Sequence, residues 1–311
     1  MLRRLGSIAV MLGLVWAVAV SPVAGQGSSG HRDPRLPSRI DLPDGFQPEG
    51  ITSVGSRLFV GSLADGAIWK GSAVTGRGSI LVPGIPGEVA VGLDHDGWRN
   101  RLWVAGGPTG EIRAYNARTG RLLQTYTFTA GFLNDLVVTP RAVYATDSLT
   151  QQLAVVPLGR WGRLPDPSKA RVLPLTGDLV YTTGFNLNGI DAARGKLVVV
   201  QSNTGLAFRV NPRTGATSAI DTGGYSLTNG DGLEIRGGKL YVLRNRLNLV
   251  AVLRLNDRLS RARLIREITS SGFDVPTTAT FALGKLWAVN ARFGTTPTPT
   301  TDYWITRVPA R

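Results

Sequence analysis

Four oxygen-bearing side chains stand at one step ahead of a recurrent strand. Glu49, Asn134, Asn188 and Asp231 each lie nine residues before an apolar strand core, at Leu58, Val143, Leu197 and Leu240. Thr277 holds the same place before Leu286, and Val91 is the counterpart in a unit whose turn is two residues longer. Two carboxylates and two carboxamides supply hard oxygen donors with a summed charge of −2, which suits a divalent cation. Ca²⁺ takes roughly six to eight oxygens at about 2.3–2.6 Å, so four protein ligands leave positions for water or substrate. Glu49, Asn188 and Asp231 are each followed by glycine, which permits close approach of the backbone beside them.

The rest of the composition narrows the chemistry. Cysteine is absent and the histidines are His31 and His95, so thiolate nucleophiles, thiolate metal centres and histidine-rich zinc, copper or iron sites are excluded. Superoxide dismutation has no ligand set here. A Ser-His-Asp triad would have to depend on His95, whose setting, Asp94-His95-Asp96-Gly97, reads as a hairpin turn. The net charge is +14, yet the arginines are scattered among turns and form no run. A nucleic-acid reader clusters its basic residues, so a small-molecule partner is expected and a nucleic acid is not. A monomer is expected.

The elements that must position these side chains repeat. Arg57-Leu58-Phe59-Val60, Arg101-Leu102-Trp103-Val104, Ala142-Val143-Tyr144-Ala145, Lys196-Leu197-Val198-Val199, Lys239-Leu240-Tyr241-Val242 and Lys285-Leu286-Trp287-Ala288 are β-branched and aromatic runs flanked by glycine. Their spacings of 44, 41, 54, 43 and 46 residues define six units. Within units, Gly66 to Gly76, Gly110 to Gly120 and Gly205 to Gly215 are ten-residue steps that end in Thr-Gly and enclose a third strand. A fourth strand follows, as at Leu122 to Phe128. Four strands in each of six units predict an all-β, six-bladed β-propeller of four-stranded antiparallel blades. A stacked β-solenoid is the rival fold, but it needs no closure. The sixth unit has strands near Ala279 to Leu283, Leu286 to Asn290 and Tyr303 to Val308 and lacks a fourth. Arg39-Ile40-Asp41-Leu42 is predicted to fill that edge and close the ring. Gly159 to Thr183, with three prolines, reads as an insertion between blades three and four.

The domain plan is a signal peptide at 1–25, a flexible leader at 26–37 and the propeller at 38–311. Arg3 and Arg4 precede an apolar run of 13 residues, Ile8 to Val20, and Val23-Ala24-Gly25 offers a cleavage site. The run is short for a membrane span of roughly 20 residues, so export is expected, with membrane attachment only if the segment is retained. Twin-arginine export fits the residues around Arg3-Arg4 poorly.

Phe132-Leu133-Asn134-Asp135, Leu187-Asn188-Gly189-Ile190-Asp191 and Gly230-Asp231-Gly232-Leu233 resemble the metal-site motifs of the senescence-marker-protein/gluconolactonase/luciferin-regenerating family, and Pro48-Glu49-Gly50-Ile51 resembles its first-blade glutamate motif. The likeness runs over roughly residues 40–308, is similar to the layout of calcium-dependent lactonases including paraoxonases, and shares its fold with strictosidine-synthase-like propellers. It implies a secreted hydrolase of a lactone or related ester, with a divalent metal, Ca²⁺ first, as cofactor. Glu49, Asn188 and Asp231 would bind the metal. Asn134 would bind it too, or hold the substrate or a water on the metal. Asp231 would take the proton of the attacking water, which with Asn134 makes the catalytic pair.

Departures from the family pattern shift the substrate. The arginine that gluconolactonase-like members carry two residues before the third-blade asparagine is Phe132 here. With Phe132 and Leu133 expected at the rim, the substrate is expected to be less polar than an aldonolactone. A histidine pair of the paraoxonase type is not available. The alternative function is a non-catalytic propeller that binds a small ligand or protein, its ion structural or absent; a lyase is a lesser option. Asn203 and Asn245 could line the mouth or simply make turns, and Trp69, Trp103, Trp287 and Trp304 are expected in inter-blade packing.

Overall fold

The computed structural model describes residues 36–308; the signal peptide and the leader as far as Arg35 lie outside the described residues. Among the described residues no helix is long and apolar enough to cross a membrane.

Six antiparallel sheets follow one another along the chain. Their innermost strands are Pro48–Val54, Leu93–Asp96, Leu133–Val138, Leu187–Ala193, Gly230–Arg236 and Pro276–Ala282. Each contacts the innermost strand of the next blade, and the sixth returns to the first, so the ring is closed about a central channel. The architecture is a six-bladed β-propeller.

Closure is made by Arg39–Leu42, which pairs antiparallel with Tyr303–Val308 as the outer strand of blade six, with Ile40 opposite Ile305. Its alternation drives the choice: Ile40 and Leu42 are buried against Trp69, Trp287 and Ile305, while Arg39 and Asp41 face solvent. The predicted edge strand is therefore present. Leu36 packs on the same cluster and the Pro37 carbonyl accepts from Arg307 Nε, so these two residues are part of the blade's packing.

The long interval after blade three differs from the expectation of an insertion between blades. Two 3₁₀ turns, Arg160–Gly162 and Pro167–Lys169, lie inside blade three, and Arg171–Pro174 is that blade's outer strand. Thr176–Gly177 then adds a fifth, parallel strand to the edge of blade four. Prolines break the sheet after the third strand, but the chain returns to pair before it leaves the blade.

Trp103 and Trp287 are fully buried and Trp69 nearly so, each inside a cluster shared by neighbouring sheets. Trp304 instead lies under two guanidinium groups, Arg39 at 4.1 Å and Arg292 at 5.1 Å from its ring.

A ring of polar contacts links the inner strands around the channel. Asp94 accepts from the Val138 amide at 2.7 Å and Asp191 from the Ile235 amide at 2.6 Å, each reaching the next blade. Both also accept from the amide that follows them. Glu234 meets Thr280, Ser53 bonds Thr280 across the closure at 3.0 Å, and Thr52 reaches Asp94 at 3.5 Å. Asp94 and Asp191 thereby satisfy backbone amides of inner strands, which have no further strand beside them on the channel.

Candidate functional site

The inner strands share a local device. In blades one, three, four, five and six the pairing register shifts at the same place, between Pro48 and Ile51, Leu133 and Leu136, Leu187 and Ile190, Gly230 and Leu233, and Pro276 and Ala279. The two residues skipped by the ladder begin with Glu49, Asn134, Asn188, Asp231 and Thr277. A β-bulge re-aims side chains, and here it turns one per blade toward the axis. The glycines after Glu49, Asn188 and Asp231 have a different reason from close approach of a ligand. A Cβ at Gly50 would press into the Val91 carbonyl oxygen, and one at Gly189 into the Asp231 carbonyl oxygen. It is the neighbouring blade that approaches.

Glu49, Asn134, Asn188 and Asp231 line one cavity of ≈ 440 Å³ that opens at one end of the channel. Val91 lines it from blade two. Thr277 does not join: its hydroxyl donates to the Glu49 carbonyl at 2.7 Å and is wholly buried. Glu49 and Asn134 are 5 % exposed, Asp231 is 1 % exposed and Asn188 is half-buried.

Hydrogen bonds fix how these groups point. Ser148 Oγ donates to the Leu187 carbonyl, so it can only accept from Asn134 Nδ2, at 2.9 Å. That leaves Asn134 Oδ1 buried without a partner. Asn245 Nδ2 donates to Asp231 Oδ2 at 2.6 Å, and Asp231 Oδ1 is likewise buried and unpartnered. An unsatisfied buried oxygen costs roughly 1–3 kcal/mol. Two such oxygens, on residues that line one cavity with the Glu49 carboxylate, are acceptors that a bound electrophile would satisfy. Among the described residues no three or more His, Cys, Asp and Glu side chains form a metal-binding group, so any cation must use the carboxamides with the two carboxylates. That mixed oxygen set fits Ca²⁺ and suits softer metals poorly.

The electrostatics agree. Burial raises the Glu49 carboxyl well above its ordinary value, and the Asp231 and Asp135 charges raise it further. Burial pushes Asp231 up to about 7, opposed first by the hydrogen bond from Asn245. Asp135, fully desolvated beside the same channel, is also raised well above its usual range, chiefly by burial, with Asp231 and Asp94 adding repulsion. Carboxylates crowded in this way are stabilised by a positive charge between them.

Several residues fall elsewhere than expected. Phe132 lines the cavity, but Leu133 does not reach the rim: it is fully buried among Trp103, Tyr126 and Val143, because the strand begins there and its side chain alternates inward. Asn245 lines the cavity. Asn203 instead braces the preceding loop through Thr182, Thr183 and Asn186. His95 stacks on Phe59 with ring centroids 5.8 Å apart, in a strand that leads to the Gly97 turn, and lines a different cavity with Trp98 and Arg99. Sequence reasoning missed Leu63, Phe185, Ser202, Arg246 and Phe293, which line the same cavity as Glu49. All five lie after or between strands, where no periodicity marks them.

No protein-family model matches this chain, and no curated protein does. Solved structures do match. The major allergen Mala s 1 of Malassezia sympodialis is similar at 16 % identity and a TM-score of 0.67, over 88 % of this chain and 96 % of that one. Streptogramin B lyase is similar at 13 % identity and a TM-score of 0.54, over 87 % and 97 %. Hydrazine synthase of Kuenenia stuttgartiensis is similar at 13 % identity and a TM-score of 0.56, over 92 % and 99 %. At such identities the likeness is one of fold. Fold and site together define a β-propeller of six blades with an oxygen-lined cavity at one mouth of its channel.

Proposed function

We propose that this protein is a metal-dependent hydrolase of a lactone or related ester, with a divalent cation, Ca²⁺ first, among Glu49, Asn134, Asn188 and Asp231. The observation that carries the reading is that two residues lining one cavity, Asn134 and Asp231, each hold a buried oxygen, Oδ1, without a partner. A bound cation would supply Lewis acidity to a carbonyl oxygen. The chain's own part is positional. Ser148 holds the Asn134 carboxamide and Asn245 the Asp231 carboxylate, so their free oxygens need no reorganisation. Asp231, on the same cavity, would accept the proton of an attacking water. The apolar N-terminal run supports export, which belongs to the same proposal.

The test is elemental analysis of the purified protein with a screen of lactones and aryl esters, before and after chelation. Stoichiometric Ca²⁺ and chelator-sensitive turnover, both lost in Asn188→Ala, support the reading. No metal after calcium reconstitution, together with no turnover, overturns it.

A second reading is a small-ligand-binding propeller whose ion is structural. The position of His95 favours it, because the one histidine of the described residues lies outside this cavity. Metal retained without turnover on any ester would decide for that reading.

A further inference from the structure

Above the candidate ligands, six residues that line the central cavity come one from each blade, with Ser202 and Asn245 beside them. Leu63, Val91, Phe132, Phe185 and Phe293 come from blades one, two, three, four and six, and Arg246 from blade five. Five are apolar and one is cationic.

Phe185 is 50 % exposed and Phe293 43 % exposed, and both still line the cavity. Phe185 meets Phe132 edge to face, with centroids 5.1 Å apart and planes at 73°. Half-exposed rings around a concave site gain by covering an apolar body, and ≈ 440 Å³ lies within the roughly 300–1,000 Å³ of small-molecule sites. The exposed Arg246 side chain has no ion pair and no hydrogen bond among the described residues, and the carboxylates of the floor are buried below it. A guanidinium left free beside apolar walls is an anchor for a carboxylate or similar oxyanion. The backbone that carries it is tied to the floor of the cavity: the Arg246 amide donates to Asn245 Oδ1 at 2.6 Å, and Asn245 in turn holds Asp231.

We infer that the cavity takes an amphiphilic anion, an aryl- or alkyl-bearing ester or lactone whose apolar body sits among Phe132, Phe185 and Phe293 and whose acidic group pairs with Arg246. The inference rests on the reading of this cavity as the ligand site of the proposed hydrolase. It excludes the polar, uncharged sugar lactones as good ligands, because these would strip water from their hydroxyls against phenyl rings.

Binding without turnover tests it. The full propeller, calcium-loaded, is titrated with the aromatic anion 1-anilinonaphthalene-8-sulfonate and with the uncharged N-phenyl-1-naphthylamine, both followed by fluorescence. One saturable site for each is expected. Arg246→Gln is expected to weaken the anion about tenfold and leave the neutral probe unchanged. Phe185→Ser is expected to weaken both. Both residues are surface-exposed, and circular dichroism and the melting temperature of the variants check that the fold is kept. Binding of both probes that ignores both substitutions, or no saturable binding, overturns the inference. Probe binding that responds as expected in a protein that hydrolyses no ester sustains the inference and removes the hydrolase reading. Hydrolysis of simple esters with no response of the probes to either variant does the reverse.

Discussion

Asn245 Nδ2 donates to Asp231 Oδ2 at 2.6 Å, and by taking that oxygen it leaves the other, Oδ1, buried and without a partner. Asn245 lies at the end of its blade's second strand and Asp231 on the bulge of the first, so one hairpin carries both the group and its brace. If the proposed calcium-dependent hydrolysis is the protein's activity, Asn245→Ala is expected to keep Ca²⁺ stoichiometry while turnover falls about tenfold, because a positioned hydrogen bond is lost and the carboxylate remains. Asp231→Asn removes the carboxylate and is expected to lower turnover on the order of 10²-fold or more. Steady-state rates with bound calcium measured on each variant check this. Full turnover in Asp231→Asn would remove it from the chemistry.

The glycines of the inner bulges set a second expectation. A methyl group at Gly50 would collide with the Val91 carbonyl, and at Gly189 with the Asp231 carbonyl, both backbone atoms of an adjacent blade that cannot swing aside. Gly50→Ala and Gly189→Ala are each expected to cost about 1–3 kcal/mol in urea unfolding. Gly55, with φ +60° and open space around it, is the control. Gly55→Asn is expected to change stability by less than about 1 kcal/mol, because asparagine tolerates the left-handed region. Equal midpoints for all three variants would show that the blades part more easily than this geometry implies.

Much of this arrangement is legible in the sequence, and the reason is local. Strand cores, Thr-Gly steps and the Arg39–Leu42 alternation are written in consecutive residues. A shared bulge keeps Glu49, Asn134, Asn188 and Asp231 at one distance from the following strand, so counting back finds them. The bulge also explains the failure at Leu133, since Phe132 precedes the strand and Leu133 begins it, and only the pairing with Asp147 decides which one turns inward. Phe185 and Phe293 could not be read, because loop residues reach the mouth through tertiary packing and leave no period. The polar ring, Thr52, Asp94, Asp191, Glu234 and Thr280, stands three residues beyond Glu49, Val91, Asn188, Asp231 and Thr277. The same count would have found it, yet its role in holding neighbouring amides depends on blade-to-blade contact that a sequence does not display.

That ring predicts a pH dependence. Asp94 and Asp191 surround a space of ≈ 80 Å³ with Asp135 and Glu234 facing them. Burial pushes Asp94 up to about 7, with repulsion from Asp191 adding to it, and burial pushes Asp191 up to about 6. Glu234 is raised too, by burial and then by Asp191 and Asp94. A carboxyl whose folded pKa lies above its unfolded value of 3.8 binds protons more tightly when folded. Its contribution to stability is complete below pH 3.8 and is lost as pH rises through the folded value. The metal-free protein is therefore expected to melt a few degrees lower at about pH 8 than at about pH 5. Differential scanning calorimetry in chelator checks the sign. A melting temperature that climbs across that window would mean the ring is held ionised by charge that these contacts do not supply.

The closing strand carries the last prediction. Ile40 is 1 % exposed, pairs with Ile305 and packs on Trp69 and Trp287, whereas Asp41 beside it has a side chain 75 % exposed and meets Arg39 at 2.6 Å. Loss of the Ile40 side chain opens a cavity in the seam where the chain's beginning and end meet. Ile40→Ala is expected to cost about 2–5 kcal/mol. Asp41→Ala removes an exposed ion pair and is expected to cost less than about 1 kcal/mol. A chain that begins at Pro43 would also leave Tyr303–Val308 as an unpaired, apolar edge, a template for pairing between molecules. Such a chain is expected to aggregate where one that begins at Leu36 stays soluble. Size-exclusion chromatography and urea unfolding of the two chains decide it: equal midpoints and equal solubility would mean that the ring is held by its channel contacts alone, with Arg39–Leu42 an ornament on its edge.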